Sequence, residues 1–195
     1  MTNPKIKSYK INMSAIAKSR KYSDEADKLV NQKFREAKTQ LMEEFNVHPV
    51  TQEIEGGPTA ANSSGTLNGY GNLFSFIGFP KGANPVNSVR VFLQTRIALR
   101  KKTSRKDSLT KEYSVNIPTL ESFSFASMPW ESGSWVREVE TGISGFNYYM
   151  TKASAASRSG TAIQIDGKLR ALNASTGVPY MTKILKRFAR RILSR

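Results

Sequence analysis

The sequence predicts an α+β fold: an antiparallel sheet built on a long hairpin and packed with two amphipathic helices, extended by a basic N-terminal arm and a basic C-terminal helix. Three patterns in the 195 residues predict it. Apolar side chains recur at helical spacing from Ala26 to Phe45. They alternate at period two from Val89 to Leu99 and again from Leu109 to Ile117. A last apolar stripe, interleaved with Lys and Arg, closes the chain.

Residues 1–22 read as a Lys/Ser/Asn-rich arm, extended or ordered only by a partner. The core domain expected over 23–150 opens with Ser23 as N-cap and Asp24 and Glu25 in the first turn, where the positive end of a helix favours acids. Ala26, Val30, Phe34, Ala37, Leu41 and Phe45 then form one stripe, ended between Asn46 and Pro49. Residues 46–88 are rich in Gly and Pro and read as a long loop, of the length that usually serves a function. Within it Leu73, Phe74, Phe76 and Ile77, between Gly71 and Gly78, read as a short strand.

Val89, Val91, Leu93, Thr95, Ile97 and Leu99 alternate with Arg90, Gln94, Arg96 and Arg100, and Leu109, Tyr113, Val115 and Ile117 repeat the pattern. Together they predict one hairpin with a buried face. Phe123 and Phe125 suggest a third strand. Trp135, Val139, Ile143, Phe146 and Met150 return to helical spacing, starting near Ser132 or Ser134. The last region, 151–195, is expected to hold a small-residue linker to residue 160, a small hairpin turning at Asp166-Gly167, and the terminal helix. In that helix Met181, Ile184, Leu185, Phe188 and Ile192 share one side, and Lys183, Lys186, Arg187, Arg190 and Arg191 cover the rest.

The net charge of +15 is unevenly placed. Residues 1–22 carry six basic residues and no acid, and residues 141–195 carry ten against the single Asp166, whereas 23–140 has fourteen of each. An electrically balanced body with cationic ends points to an acidic partner, nucleic acid being the commonest. No Cys is present, which excludes disulfides and thiolate metal sites. No stretch approaches the roughly 18 apolar residues of a membrane-spanning helix, and the N-terminus has no secretory apolar run, so a protein of cytoplasmic origin is expected.

Catalytic chemistry is hard to find. The one histidine, His48, precedes Pro49 at a helix exit and reads as a solvent or capping residue, with no nucleophile beside it. Glu53 and Glu55 fall on the same side of an extended segment and could grip a cation, but without a third acid nearby solvated surface is the plainer expectation. Gly69-Tyr70-Gly71 matches only part of a dinucleotide fingerprint and opens no helix. The chain is expected to be no enzyme and to need no cofactor or metal.

The organisation resembles tailed-phage neck proteins of the tail-completion or tail-terminator kind. The likeness rests on the helix over 24–45, the loop element Ser64-Gly65-Thr66-Leu67, the hairpin over 89–117, and the run Met128-Pro129-Trp130-Glu131-Ser132-Gly133-Ser134-Trp135 with Glu140-Thr141-Gly142-Ile143 after it. The resemblance implies a virion structural protein assembled in the host cytoplasm. It implies a homo-oligomeric ring, six subunits being the expected number, around the DNA path between portal or adaptor and tail tube. The basic extensions and the aromatic run Leu73–Phe79 lie outside that pattern and leave open which junction the ring would occupy.

Candidate contacts with DNA or an acidic surface are Arg100, Lys101, Lys102, Arg105 and Lys106 at the hairpin tip and Lys183, Lys186, Arg187, Arg190 and Arg191 on the last helix. Leu73, Phe74, Phe76, Ile77 and Phe79 are candidates for packing between subunits, with plain core as the equal alternative. For the terminal helix the alternatives are a membrane surface, nucleic acid, a neighbouring subunit, or its own domain with a solvated basic face. The other functional reading is a stand-alone, sequence-independent nucleic-acid-binding module for DNA packaging or the ribosome. No base-reading motif is present, so any nucleic-acid contact would be to phosphates.

Overall fold

The first helix, α1, runs over Arg20–Val47 in the computed structural model, which describes residues 19–67, 71–102, 110–129, 132–142 and 178–193. The C-terminal half of the expected stripe, Ala37, Leu41 and Phe45, is buried, while Ala26, Val30 and Phe34 are half-buried. The start differs. The backbone ladder begins with Ser23 N–H donating to the Ser19 carbonyl, so Ser23, Asp24 and Glu25 lie inside the helix rather than capping it. The mostly helical chain continues through α2 (Pro49–Glu55), a 3-10 turn (Gly57–Thr59), α3 (Leu73–Ile77), α4 (Pro85–Arg96), β1 (Leu99–Lys101), β2 (Tyr113–Val115), a second 3-10 turn (Leu120–Phe123), α5 (Trp135–Thr141) and α6 (Met181–Leu193). The fold is therefore mixed helix and sheet, as expected, but among the described residues its sheet is a single antiparallel pair.

Two compact units divide the chain: Met1–Arg35 with Leu99–Val115, and Glu36–Ala98 with Asn116–Arg195. In the first, β1 and β2 pair in the register Leu99↔Val115, Arg100↔Ser114 and Lys101↔Tyr113. Asp27 of α1 accepts hydrogen bonds from Lys101 Nζ (2.6 Å) and the Tyr113 hydroxyl (2.5 Å). Those two donors hold the Asp27 carboxyl below its usual range, while burial and Asp27 push the Tyr113 hydroxyl up to about 12.

In the second unit the long hairpin is corrected. Residues 85–96 are helix, because Asn84 caps it through Asn87 N–H (3.1 Å), Pro85 sits in the first turn, and Val86, Val89, Leu93 and Ile97 all bury at helical spacing. Lys38 of α1 then donates to the Gln94 (2.6 Å) and Ile97 (2.8 Å) carbonyls, two acceptors that the end of α4 leaves open. The hairpin proper keeps only the residues from Leu99 onward.

The strand expected at Leu73–Ile77 is also corrected: it is one buried helical turn. Asn72 accepts from Ser75 N–H (2.9 Å) at its start. At its end Gly78, at φ 83°, lets the Phe79 N–H return to the Phe74 carbonyl (3.2 Å) in a Schellman turn. Leu73, Phe74, Phe76, Ile77 and Phe79 are all at most 9% exposed within the single chain. Their apolar surface is buried within the single chain.

Phe123 and Phe125 form no third strand. Phe123 ends a 3-10 turn opened by the Thr119/Ser122 capping box, and both rings pack on Phe92 of α4 at 5.1 and 4.8 Å. Ser134 precedes α5 as expected, its hydroxyl donating to the Phe123 carbonyl (2.7 Å). The Glu53-Glu55 reading changes too, because both residues lie on α2, about 200° apart around the helix. Glu53 is buried and accepts from Ser64 N–H (2.8 Å) and Leu73 N–H (2.7 Å), pinning both ends of the loop that carries Ser64-Gly65-Thr66-Leu67. Glu55 turns outward to Arg90 (2.7 Å). The N-terminal arm through residue 18, Tyr70, Trp130, the segment 143–150, the linker and the hairpin at Asp166-Gly167 lie outside the described residues.

Candidate polyanion interface

Helix α6 is amphipathic by its sequence, and the structure uses both sides. Met181, Ile184, Leu185 and Phe188 are buried, at positions three and four apart that fall on one face. Tyr180, just ahead of the helix, anchors it. Its hydroxyl is within 2.7 Å of Thr51 Oγ1, and its ring lies against His48, Phe45 and Trp135. Burial pushes that hydroxyl above the ordinary tyrosine range. From α5, the Glu140 carboxylate accepts the Thr182 N–H (3.0 Å), one of the donors the start of a helix leaves open.

With the apolar side committed, the other face of α6 carries Lys183, Lys186, Arg187 and Arg190, all exposed. These four, with Glu140, Pro179 and Thr182, line an open groove of about 360 Å³. These four cations, from Lys183 to Arg190, occupy about 10 Å of helix. Arg190 and Arg191 also complement the negative end of the helix dipole.

The ion pairs sort these cations. Arg191 is half-buried and donates to Glu44 Oε1 on α1, so it fastens α6 and is not available to a partner. Arg187 stands 3.7 Å from the other Glu44 oxygen and is half-exposed. Lys183, Lys186 and Arg190 have no acidic partner among the described residues. Among the described residues Glu140 is the one acid lining the groove, and it is engaged with the backbone of α6.

The hairpin candidates divide differently. Lys101 is bound to Asp27, Lys102 lies 3.6 Å from Glu112, and Arg100 is exposed. Arg105 and Lys106 lie outside the described residues. Among the described candidates, then, the uncompensated charge concentrates on α6. Sequence reasoning missed Glu44, which looks like any polar residue of α1; only its approach to residues 187 and 191 gives it a role.

His48 caps α2, its Nδ1 accepting the Val50 N–H (3.3 Å), as one of its two expected roles foresaw. Burial, with Lys183 and Arg187 nearby, lowers its pKa below the usual 6.5. The fold therefore prefers neutral imidazole. Its contribution is complete above pH about 6.5 and is lost as pH falls toward the lowered folded value, because the unfolded chain takes up the proton first. His48→Asn keeps a capping oxygen and does not titrate. Between pH 7.5 and 5.5 the unfolding free energy of the wild type should fall more than that of the variant in urea titrations, and equal slopes would refute this.

No family model, curated protein or solved structure matches the chain. Among the described residues no helix is long and apolar enough to cross a membrane, and no group of three or more His, Asp and Glu is placed to hold a metal ion.

Proposed function

We propose that this chain is a non-enzymatic structural protein that meets the phosphate backbone of DNA through the basic face of α6. The observation that carries the reading is the exposed row of Lys183, Lys186 and Arg190, left without acidic partners among the described residues on a helix whose apolar side is buried from Met181 to Phe188. Lys and Arg facing an open groove suit phosphate oxygens, the commonest partners of such side chains on DNA. The setting we propose is the neck or tail junction of a tailed-phage virion. There a homo-oligomeric ring, with six subunits expected, would surround the DNA path between portal or adaptor and tail tube and multiply each subunit's row of charge.

A specific observation favours the second reading, a stand-alone sequence-independent DNA binder. The expected long hairpin shrinks to three residue pairs among the described residues, and the apolar run from Leu73 to Phe79 is buried within one chain. Sedimentation and DNA titration separate the two. The ring reading expects a closed oligomer in solution or on DNA. Replacing Lys183, Lys186 and Arg190 together by Gln should weaken DNA binding at least tenfold at about 50 mM salt and flatten the log–log salt slope by roughly 2 to 3. A monomer that binds free duplex equally well leaves only the second reading. Unchanged binding by the triple variant removes both.

A further inference from the structure

The geometry points to Glu44 as a built-in stand-in for a DNA phosphate, holding Arg187 against the body until a phosphate enters the α6 groove and takes it over. The inference rests on the proposed DNA contact and adds the residue that controls one of its cations.

Three observations carry it. Arg187 lines the groove and pairs with Glu44 at the same time, so one guanidinium stands between two anionic positions. The pair is loose: 3.7 Å exceeds hydrogen-bond length, and Glu44 Oε2, though enclosed, accepts no hydrogen bond. A planar guanidinium held this way has its paired donors still to place, and a phosphate offers the fork that Glu44 does not. Finally, Glu44 keeps Arg191 on its other oxygen. When Arg187 swings out, the half-buried carboxylate is not left as an unpaired charge, which is what makes such an exchange costly elsewhere. Lys183, Lys186 and Arg190 have no comparable partner among the described residues, so the exchange is particular to Arg187.

The test is a double-mutant cycle in the full chain, with binding of a short mixed-sequence DNA duplex measured at about 50 mM salt. Glu44→Gln keeps the side chain's size and an oxygen for Arg191 and removes the competitor. It should tighten binding about threefold or more, the scale of a partly exposed ion pair. In the Arg187→Gln background the same change should bring little gain. A gain of equal size in that background overturns the inference, since Glu44 would then act only as a distant negative charge; so does an unchanged or weakened affinity in the single variant. If Glu44→Gln fails to fold, wild-type protein decides the matter by side-chain nuclear magnetic resonance. On adding duplex the Arg187 Nε–H signal should move while that of Arg191 stays, and a stationary Arg187 signal overturns the exchange. Failure of the underlying DNA reading looks different: wild-type protein would show no duplex binding, or binding indifferent to Lys183, Lys186 and Arg190.

Discussion

Phe188→Ala is expected to cost about 3 to 5 kcal/mol and to release α6 before the rest of the second unit unfolds. Phe188 is fully buried, at the C-terminal end of the buried stripe that Met181, Ile184 and Leu185 begin. Truncating such a ring removes its transfer free energy and leaves a cavity that neighbours fill only in part. A helix of 13 residues is marginal in water by itself, so α6 depends on this stripe for its helicity. At this chain length the loss corresponds to a fall of about 10 °C or more in Tm. Amide exchange should show protection lost first over Met181–Leu193. DNA affinity should fall as well, although no basic residue has changed, because the row of cations would no longer be held in register. Phe188→Leu should recover most of both properties. A variant with wild-type Tm and wild-type exchange in α6 would show that the helix is held by something other than its apolar face.

The second large effect is expected at Glu53. Its carboxylate accepts two backbone N–H groups, from Ser64 and Leu73, in a site only 1% exposed. Hydrogen bonds to a charged acceptor contribute about 1.5 to 3 kcal/mol each, and a donor stranded in the interior loses its water partners as well. Glu53→Ala should therefore destabilise the chain by about 3 to 5 kcal/mol. Glu53→Gln should recover less than half, since the amide offers one acceptor and turns a second donor toward a backbone N–H. The damage should be local. Residues 58–64 are tied down by Glu53 and by Asn72, whose amide donates to the Pro58 (2.9 Å) and Ala60 (3.0 Å) carbonyls. Limited proteolysis should cut this loop early in the variant, and an unchanged cleavage pattern would argue against the clamp.

Helices α1 and α6 were legible because an apolar stripe repeated over several turns has one interpretation at that length. The stretch from Val86 to Leu99 defeated the same logic. Val89, Leu93 and Ile97 belong equally to an alternating pattern and to a helical one, and the β-branched valines tip the balance toward a strand. Asn84-Pro85 was the available signal for a helix start. Leu73–Ile77 was undecidable by period alone, since a run that is apolar on every side suits a buried turn of helix as well as a strand. With residues 46–88 read as a long loop, Glu53 and Glu55 fall on the same side of an extended segment. On α2 one faces the core and the other faces Arg90.

By itself the sequence determined where positive charge accumulates and that the last helix must bury one face and expose another, because both follow from the order of residues along the chain. Which cations remain free was decided only by the tertiary structure. Neutralisation depends on distances between residues far apart in the chain: Glu44 meets Arg191 across 147 positions, and Asp27 meets Lys101 across 74. Coulomb attraction acts through space over a few ångströms and is indifferent to sequence order, so a count of charges could not separate Arg191, spent on holding a helix in place, from Lys183, Lys186 and Arg190, left facing the groove.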